Sequence, residues 1–194
     1  MVRTLVGGLL GGFAIFITSF VFWGTPLSAL ALSRTDEQAS ANLQAAMAQA
    51  LTSTGTGVYV IPDPATAKGT VLYGKGPVAQ IFYNEGGFPV MDSGALIGGL
   101  ILALVVGVLI ALALRFALVD FASRARISVL FALAAVLWLH VGQAVFNHAP
   151  WGYILYLTFS DFVALALAGL IAAKLMDGNP HAATSTPTSD GTLH

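Results

Sequence analysis

Four stretches of this chain are continuously apolar, and its polar residues collect between them. Leu5 to Trp23 and Ala95 to Leu114 contain no ionisable side chain; Ile127 to Phe146 contains only His140, and Trp151 to Ala173 only Asp161. A hydrocarbon layer of roughly 30 Å needs about 20 apolar residues in a helix, and all four stretches are long enough. The pattern predicts an α-helical integral membrane protein with four transmembrane helices and a small α+β extracytoplasmic insertion between helices one and two. The organisation that follows is an N-terminal transmembrane anchor over 1–32, the insertion over 33–93, a three-helix transmembrane region over 94–176 and a tail over 177–194.

The apolar character of the first stretch continues past Pro26 to Leu32, so its helix is expected to bend or end near Gly24-Thr25-Pro26, where proline removes a backbone donor. A rival reading makes it a cleaved signal peptide with Ala29-Leu30-Ala31 as the cleavage site. Its apolar core exceeds the roughly 7–15 residues of such a leader, which favours the anchor.

Between the first two spans the period changes. Thr35-Asp36-Glu37-Gln38 fits a capping box with Thr35 as the cap, and Ala39, Leu43, Met47, Ala50 and Leu51 then form a helical stripe. Val58 to Ile61, Thr70 to Tyr73 and Val78 to Tyr83 read as three strands, separated by Pro- and Gly-rich turns. One helix and a small sheet make a thin core, expected to rest on the membrane helices or on a partner. Tyr59, Tyr73, Phe82 and Tyr83 could form a binding face, although packing into the core is the commoner fate of strand aromatics. The tail, rich in Ser, Thr, Pro and Gly, is expected to be disordered or held by a partner.

Composition supports a membrane setting: 57% of residues are hydrophobic and 9% charged, against about a quarter charged in a soluble domain. The formal net charge of −1 gives no reason to expect nucleic acid, which calls for clustered Lys and Arg. With no cysteine, disulfides, thiolate metal sites, thioether-attached haem and a Cys nucleophile are excluded. Basic residues set the orientation. Arg3, Arg115, Arg124, Arg126 and Lys174 share one side if both termini are cytoplasmic, whereas Arg34, Lys68 and Lys75 are dispersed over the other. Residues 33–93 are then outside, and His148-Ala149-Pro150 is a tight outer turn between spans three and four.

Two sets of residues stand out. Gly7 with Gly11 and Gly8 with Gly12 are overlapping GxxxG pairs, and Gly99, Ala103, Gly107 and Ala111 place a small residue at every fourth position of span two. Such stripes permit close helix approach. The second set is polar. Asp161 lies about 15 Å inside span four and His140 about 9 Å from the outer end of span three, at 1.5 Å per residue. Gln143 and Asn147 follow His140 on one helical face, Thr158 precedes Asp161 by three, and Thr18 and Ser19 of span one reach a comparable depth.

This seam is expected to face protein, because an unpaired carboxylate in hydrocarbon is costly. It could carry protons or a ligand, or simply tie helices together. A pathway needs ionisable groups through the full thickness, and spans one and two have none, which favours the tie. His140 and His148 lack the i,i+3 or i,i+4 spacing of helical metal sites; no metal and no cofactor is expected. No nucleophile elbow, zinc-protease, P-loop or dinucleotide motif is present.

The order of elements resembles a family of small bacterial inner-membrane proteins of uncharacterised activity. The resemblance rests on Trp23-Gly24-Thr25-Pro26-Leu27 closing an anchor, an acidic-start helix from Thr35, a Gly-Val-Tyr-x-x-Pro strand over Gly57 to Pro62 and a Gly-Pro-led strand over Gly76 to Tyr83. It continues in Trp151-Gly152, Asp161 and the small-residue run from Ala164 to Ala173. It implies the architecture and a bacterial inner (cytoplasmic) membrane, and no activity or site residues. The expected function is a non-catalytic accessory subunit of a larger bacterial membrane complex, respiratory or photosynthetic, in contact with membrane lipid and other membrane subunits. The alternative is a small proton-coupled transporter or membrane sensor using the polar seam.

Overall fold

The computed structural model describes residues 1–117 and 120–176; the tail discussed above lies outside the described residues. The first helix, α1 (Val2–Trp23), ends where the sequence turns against it. The Thr25 hydroxyl donates to the Val21 carbonyl at 2.6 Å and accepts from the Leu27 amide at 3.3 Å. Pro26 then opens a short 3-10 turn, Pro26–Leu30, at the position where its missing N–H costs least.

Arg34–Asp92 is a compact unit by itself. Its first helix, α2 (Glu37–Leu51), is capped by Asp36, whose side chain accepts the Ala39 amide at 2.8 Å. The cap is therefore one residue beyond Thr35, and Gln38 pairs with Asn42 on the helix surface and not with the cap. An acid at this position satisfies a free amide and also suits the positive end of the helix. After β1 (Gly57–Ile61) the chain forms a helix, α3 (Ala67–Lys75), and then β2 (Ala79–Tyr83).

The expected strand at Thr70–Tyr73 is thus helical. Local capping overrides its β-prone composition. Asp63 accepts the Ala65 amide at 2.9 Å, Thr66 accepts the Gly69 amide at 3.0 Å, and the Thr70 hydroxyl returns to the Pro64 and Thr66 carbonyls at 2.9 Å. The sheet accordingly has two antiparallel strands, with Val58 opposite Phe82 and Tyr59 opposite Ile81. On one face Tyr59 and Tyr83 meet edge-on at 6.2 Å, and the Tyr83 hydroxyl bonds the Thr52 hydroxyl at 2.7 Å at the end of α2. On the other, Val58, Val60 and Phe82 are exposed, Phe82 to 81%. The four aromatics therefore divide: Tyr59 and Tyr83 pack, Tyr73 is half-buried on α3, and Phe82 is bare.

Three further long elements complete the chain. α4 (Ser93–Phe116) is unbroken. The third long element starts at α5 (Phe121–Val136), widens into a π turn at Leu137–Val141 and finishes as α6 (Gly142–Asn147). Asp120 caps it by accepting the Ser123 amide at 3.1 Å. His148, in the left-handed conformation, and Ala149 both donate to the Gln143 carbonyl, which closes the turn into α7 (Trp151–Met176). Four helical stretches, Val2–Trp23, Ser93–Phe116, Phe121–Asn147 and Trp151–Met176, are long and apolar enough to cross a membrane; they are called spans one to four below.

Residues 1–33 and the described residues from Ser93 to Met176 form the second compact unit. Span one packs on spans two and four, while span three packs mainly on span four. Its two overlapping glycine pairs serve different neighbours. A Cβ on Gly8 would lie 2.7 Å from the Val108 Cα, and one on Gly12 would lie 2.6 Å from the Leu104 Cα, both on span two. One on Gly11 would lie 2.8 Å from the Ala168 carbonyl, and one on Gly7 would lie 3.3 Å from the Ala172 Cα, both on span four. Gly107 reciprocates against the backbone of Gly8 and Gly12, with Ala103 and Ala111 buried on either side. Gly99 does not join this contact: only the Phe16 ring edge, at 3.9 Å, comes near. The contact is close at the Gly107 level and opens toward Gly99, where a phenyl ring occupies the gap.

Candidate functional site

Among the described residues the one ion-pair contact is His140 Nε2 to Asp161 Oδ2, at 2.8 Å. Their backbones lie at different depths, Asp161 being the deeper. The side chains close that difference because helical Cα–Cβ bonds tilt toward the helix N-terminus. Span three runs toward the His148 turn, so His140 leans away from the turn. Span four runs away from it, so Asp161 leans back. His140 also stands in the π turn, where the extra residue per turn resets the facing of the helix.

The second carboxylate oxygen is held as well. The Ser160 hydroxyl, 2% exposed as a residue, lies 3.3 Å from Asp161 Oδ1 and 3.0 Å from the Leu157 carbonyl. It accepts from the Trp23 indole N–H at 3.3 Å. One turn outward, the Tyr156 hydroxyl donates to the Phe22 carbonyl at 2.7 Å, a backbone acceptor in the last turn of α1. Trp23 and Tyr156 meet edge-on with centroids 5.2 Å apart, and Phe22 meets Tyr156 at 5.7 Å. A short polar chain, Trp23–Ser160–Asp161–His140, thus links spans one, four and three.

Not all of the polar seam belongs to it. Gln143 and Asn147 bond each other at 2.5 Å and are exposed, while Thr158 donates to its own helix at the Ile154 carbonyl, 2.7 Å away. Thr18 and Ser19 are half-buried and hydrogen-bond to neither member of the pair. Conversely, Trp23, Ser160 and Tyr156 are members that the sequence reading passed over. Trp23 is read from the sequence only as the residue that closes the first span. Ser160 carried one available signal, its position beside the only carboxylate in a span.

The pair is not enclosed. The Asp161 side chain is 36% exposed and that of His140 is 18% exposed, so the carboxylate edge opens on the flank of the bundle. Inward along span four from Asp161, buried Ala164, Ala168 and Ala172 face neighbouring helices, and no ionisable residue follows before Lys174. The arrangement can hold or exchange one proton between imidazole and carboxylate. It offers no second ionisable group deeper in the span to pass that proton on. No group of three or more metal-binding side chains occurs among the described residues.

No family model matches the chain, and neither a characterised relative nor a solved structure does.

Proposed function

We propose that this chain is a non-catalytic accessory subunit of a larger bacterial membrane complex. In this reading it lies in the inner membrane with both termini cytoplasmic and residues 33–93 outside. The observation that carries it is the Asp161 carboxylate, which sits mid-span on the bundle's flank with 36% of its side chain uncovered. A carboxyl group bordering hydrocarbon is costly even when partly paired. A polar face on a neighbouring subunit's transmembrane helix would cover it and make use of it. The bare apolar row Val58, Val60 and Phe82 supports the same reading from outside the spans.

A second reading, a small proton-coupled transporter or sensor, draws on the π turn at His140 and the hydrogen bond to Asp161, since π turns recur at functional sites. Against it stands the apolar inner half of span four.

Replacing Asp161 separates the two. Asp161→Asn retains a donor and an acceptor at the same place. The subunit reading expects normal growth and complex recovery within about twofold of wild type, while Asp161→Leu, which removes the hydrogen bonds worth about 1–2 kcal/mol between membrane helices, reduces recovery. Loss of growth in Asp161→Asn with the complex recovered intact would replace this proposal with the transport reading.

A further inference from the structure

At the opposite end of the helical bundle from the His148 turn, a cavity of about 530 Å³ lies between the starts of spans one and three and the ends of spans two and four. Its lining includes Arg3, Thr4, Arg115 and Arg124, with Met1 and Met176 as apolar walls. The three arginines come from three different spans, and among the described residues no carboxylate lines the cavity with them. None of them is in an ion pair with another described residue. Asp120, the nearest acid in sequence, is engaged elsewhere: it caps α5 through Ser123 and feels the charge of Arg126. Arg124 is held in place through its Nε, which donates to the Ala117 carbonyl at 3.2 Å, and its terminal nitrogens pair with no carboxylate among the described residues. Arg115 is steadied by a contact of Nη1 with the Met1 sulfur. Thr4, buried at 6% exposure, adds a hydroxyl to the lining.

Basic side chains near the ends of membrane spans are common. Here three converge on one concavity with apolar walls and no counter-charge among the described residues. Guanidinium groups recognise phosphate oxygens through paired N–H donors, and basic pockets between membrane helices take lipid headgroups. We propose that this cavity binds the phosphate of an anionic phospholipid headgroup, with Arg3, Arg115 and Arg124 as its ligands and Met1 and Met176 against the upper acyl chains. The inference rests on the reading of these helices as membrane spans, and is independent of the accessory-subunit role.

The full chain, extracted in mild detergent, is exchanged into nanodiscs of phosphatidylglycerol and phosphatidylcholine, and its retained lipid is weighed by native mass spectrometry. Wild type is expected to retain phosphatidylglycerol selectively. Arg115→Gln with Arg124→Gln should lower that retention about thirtyfold, from roughly one surface-charge contribution for each of the two arginines. Arg126→Gln with Lys174→Gln removes the same charge from the same flank outside the cavity, and should leave retention unchanged. Equal loss in both double variants would reduce the effect to general surface charge and overturn the site. Equal retention of the two lipids by wild type would overturn it without any variant, so a misfolded mutant cannot hide the answer. Displacement of the lipid by millimolar inorganic phosphate would overturn the lipid assignment in favour of a free phosphate anion. A chain that does not fractionate with membranes would refute the spans themselves, a failure distinct from all of these.

Discussion

Asp120 shows how much one hydrogen-bonding neighbour can decide. Ser123 donates to its carboxylate first through the hydroxyl and then through the backbone amide, and these bonds hold its pKa below the ordinary 3.8. A carboxyl lowered on folding contributes stability that is present above its ordinary value and is lost as pH falls through the folded value. Ser123→Ala removes the hydroxyl donor and leaves the amide. The Asp120 titration, followed by carboxyl-carbon NMR, should then move up toward 3.8, and fraying of the first turn of α5 should begin at higher pH than in wild type. An unchanged titration would show that the hydroxyl does not act on the carboxylate. Residue-level chemistry of this kind was only partly legible in the sequence. The cap of α2 was placed on Thr35 because a capping box and an Asp cap share the same letters, and only backbone geometry chooses Asp36. His140 and Asp161 were visible as ionisable residues in apolar runs; Ser160 was not, since a serine in a membrane helix is ordinary.

At the scale of elements, the small-residue stripes were legible and their partners were not. Overlapping GxxxG pairs in span one announce two faces a hundred degrees apart, but nothing in the letters says which helix meets which face. The structure gives one face to span two and the other to span four. Gly12→Ala and Gly107→Ala would each put a methyl group into backbone of the neighbouring helix, with no flexible side chain to yield. Overpacking of this sort costs about 1–3 kcal/mol, which should appear as an earlier unfolding midpoint in detergent. Gly99→Ala meets only ordinary contact with Phe16 and should stay within about 0.5 kcal/mol of wild type. A midpoint for Gly99→Ala as low as that of Gly107→Ala would contradict the graded contact described here. The misread element, Thr70–Tyr73, failed for the opposite reason. β-branched and aromatic residues suggested a strand, while two side-chain oxygens upstream, on Asp63 and Thr66, and the Thr70 hydroxyl reaching back to Pro64 set the backbone for a helix.

For the molecule as a whole, four long apolar helices and a mixed insert were readable because hydropathy and length are enough to reveal a span. The π turn was not, because no residue type marks it. Sidedness rests on the distribution of arginine and lysine alone. Reporter fusions after Lys174, or between Ala117 and Ser123, should report cytoplasm, and fusions at Lys68 should report the outside. A cytoplasmic signal at Lys68 would break the four-span topology.

Span four touches every other span and is the most enclosed of the four, and it is also the last to be made. Until Trp151 and the residues after it leave the ribosome, span three has almost nothing to lie against, and His140 has no carboxylate to meet it. Spans one and two can zip together early through Gly8, Gly12 and Gly107, but the rest of the bundle waits. A chain stopped short of residue 150 is therefore expected to leave span three without its main packing partner, and pulse-chase of that truncation should show faster turnover than the full chain; equal turnover would contradict it.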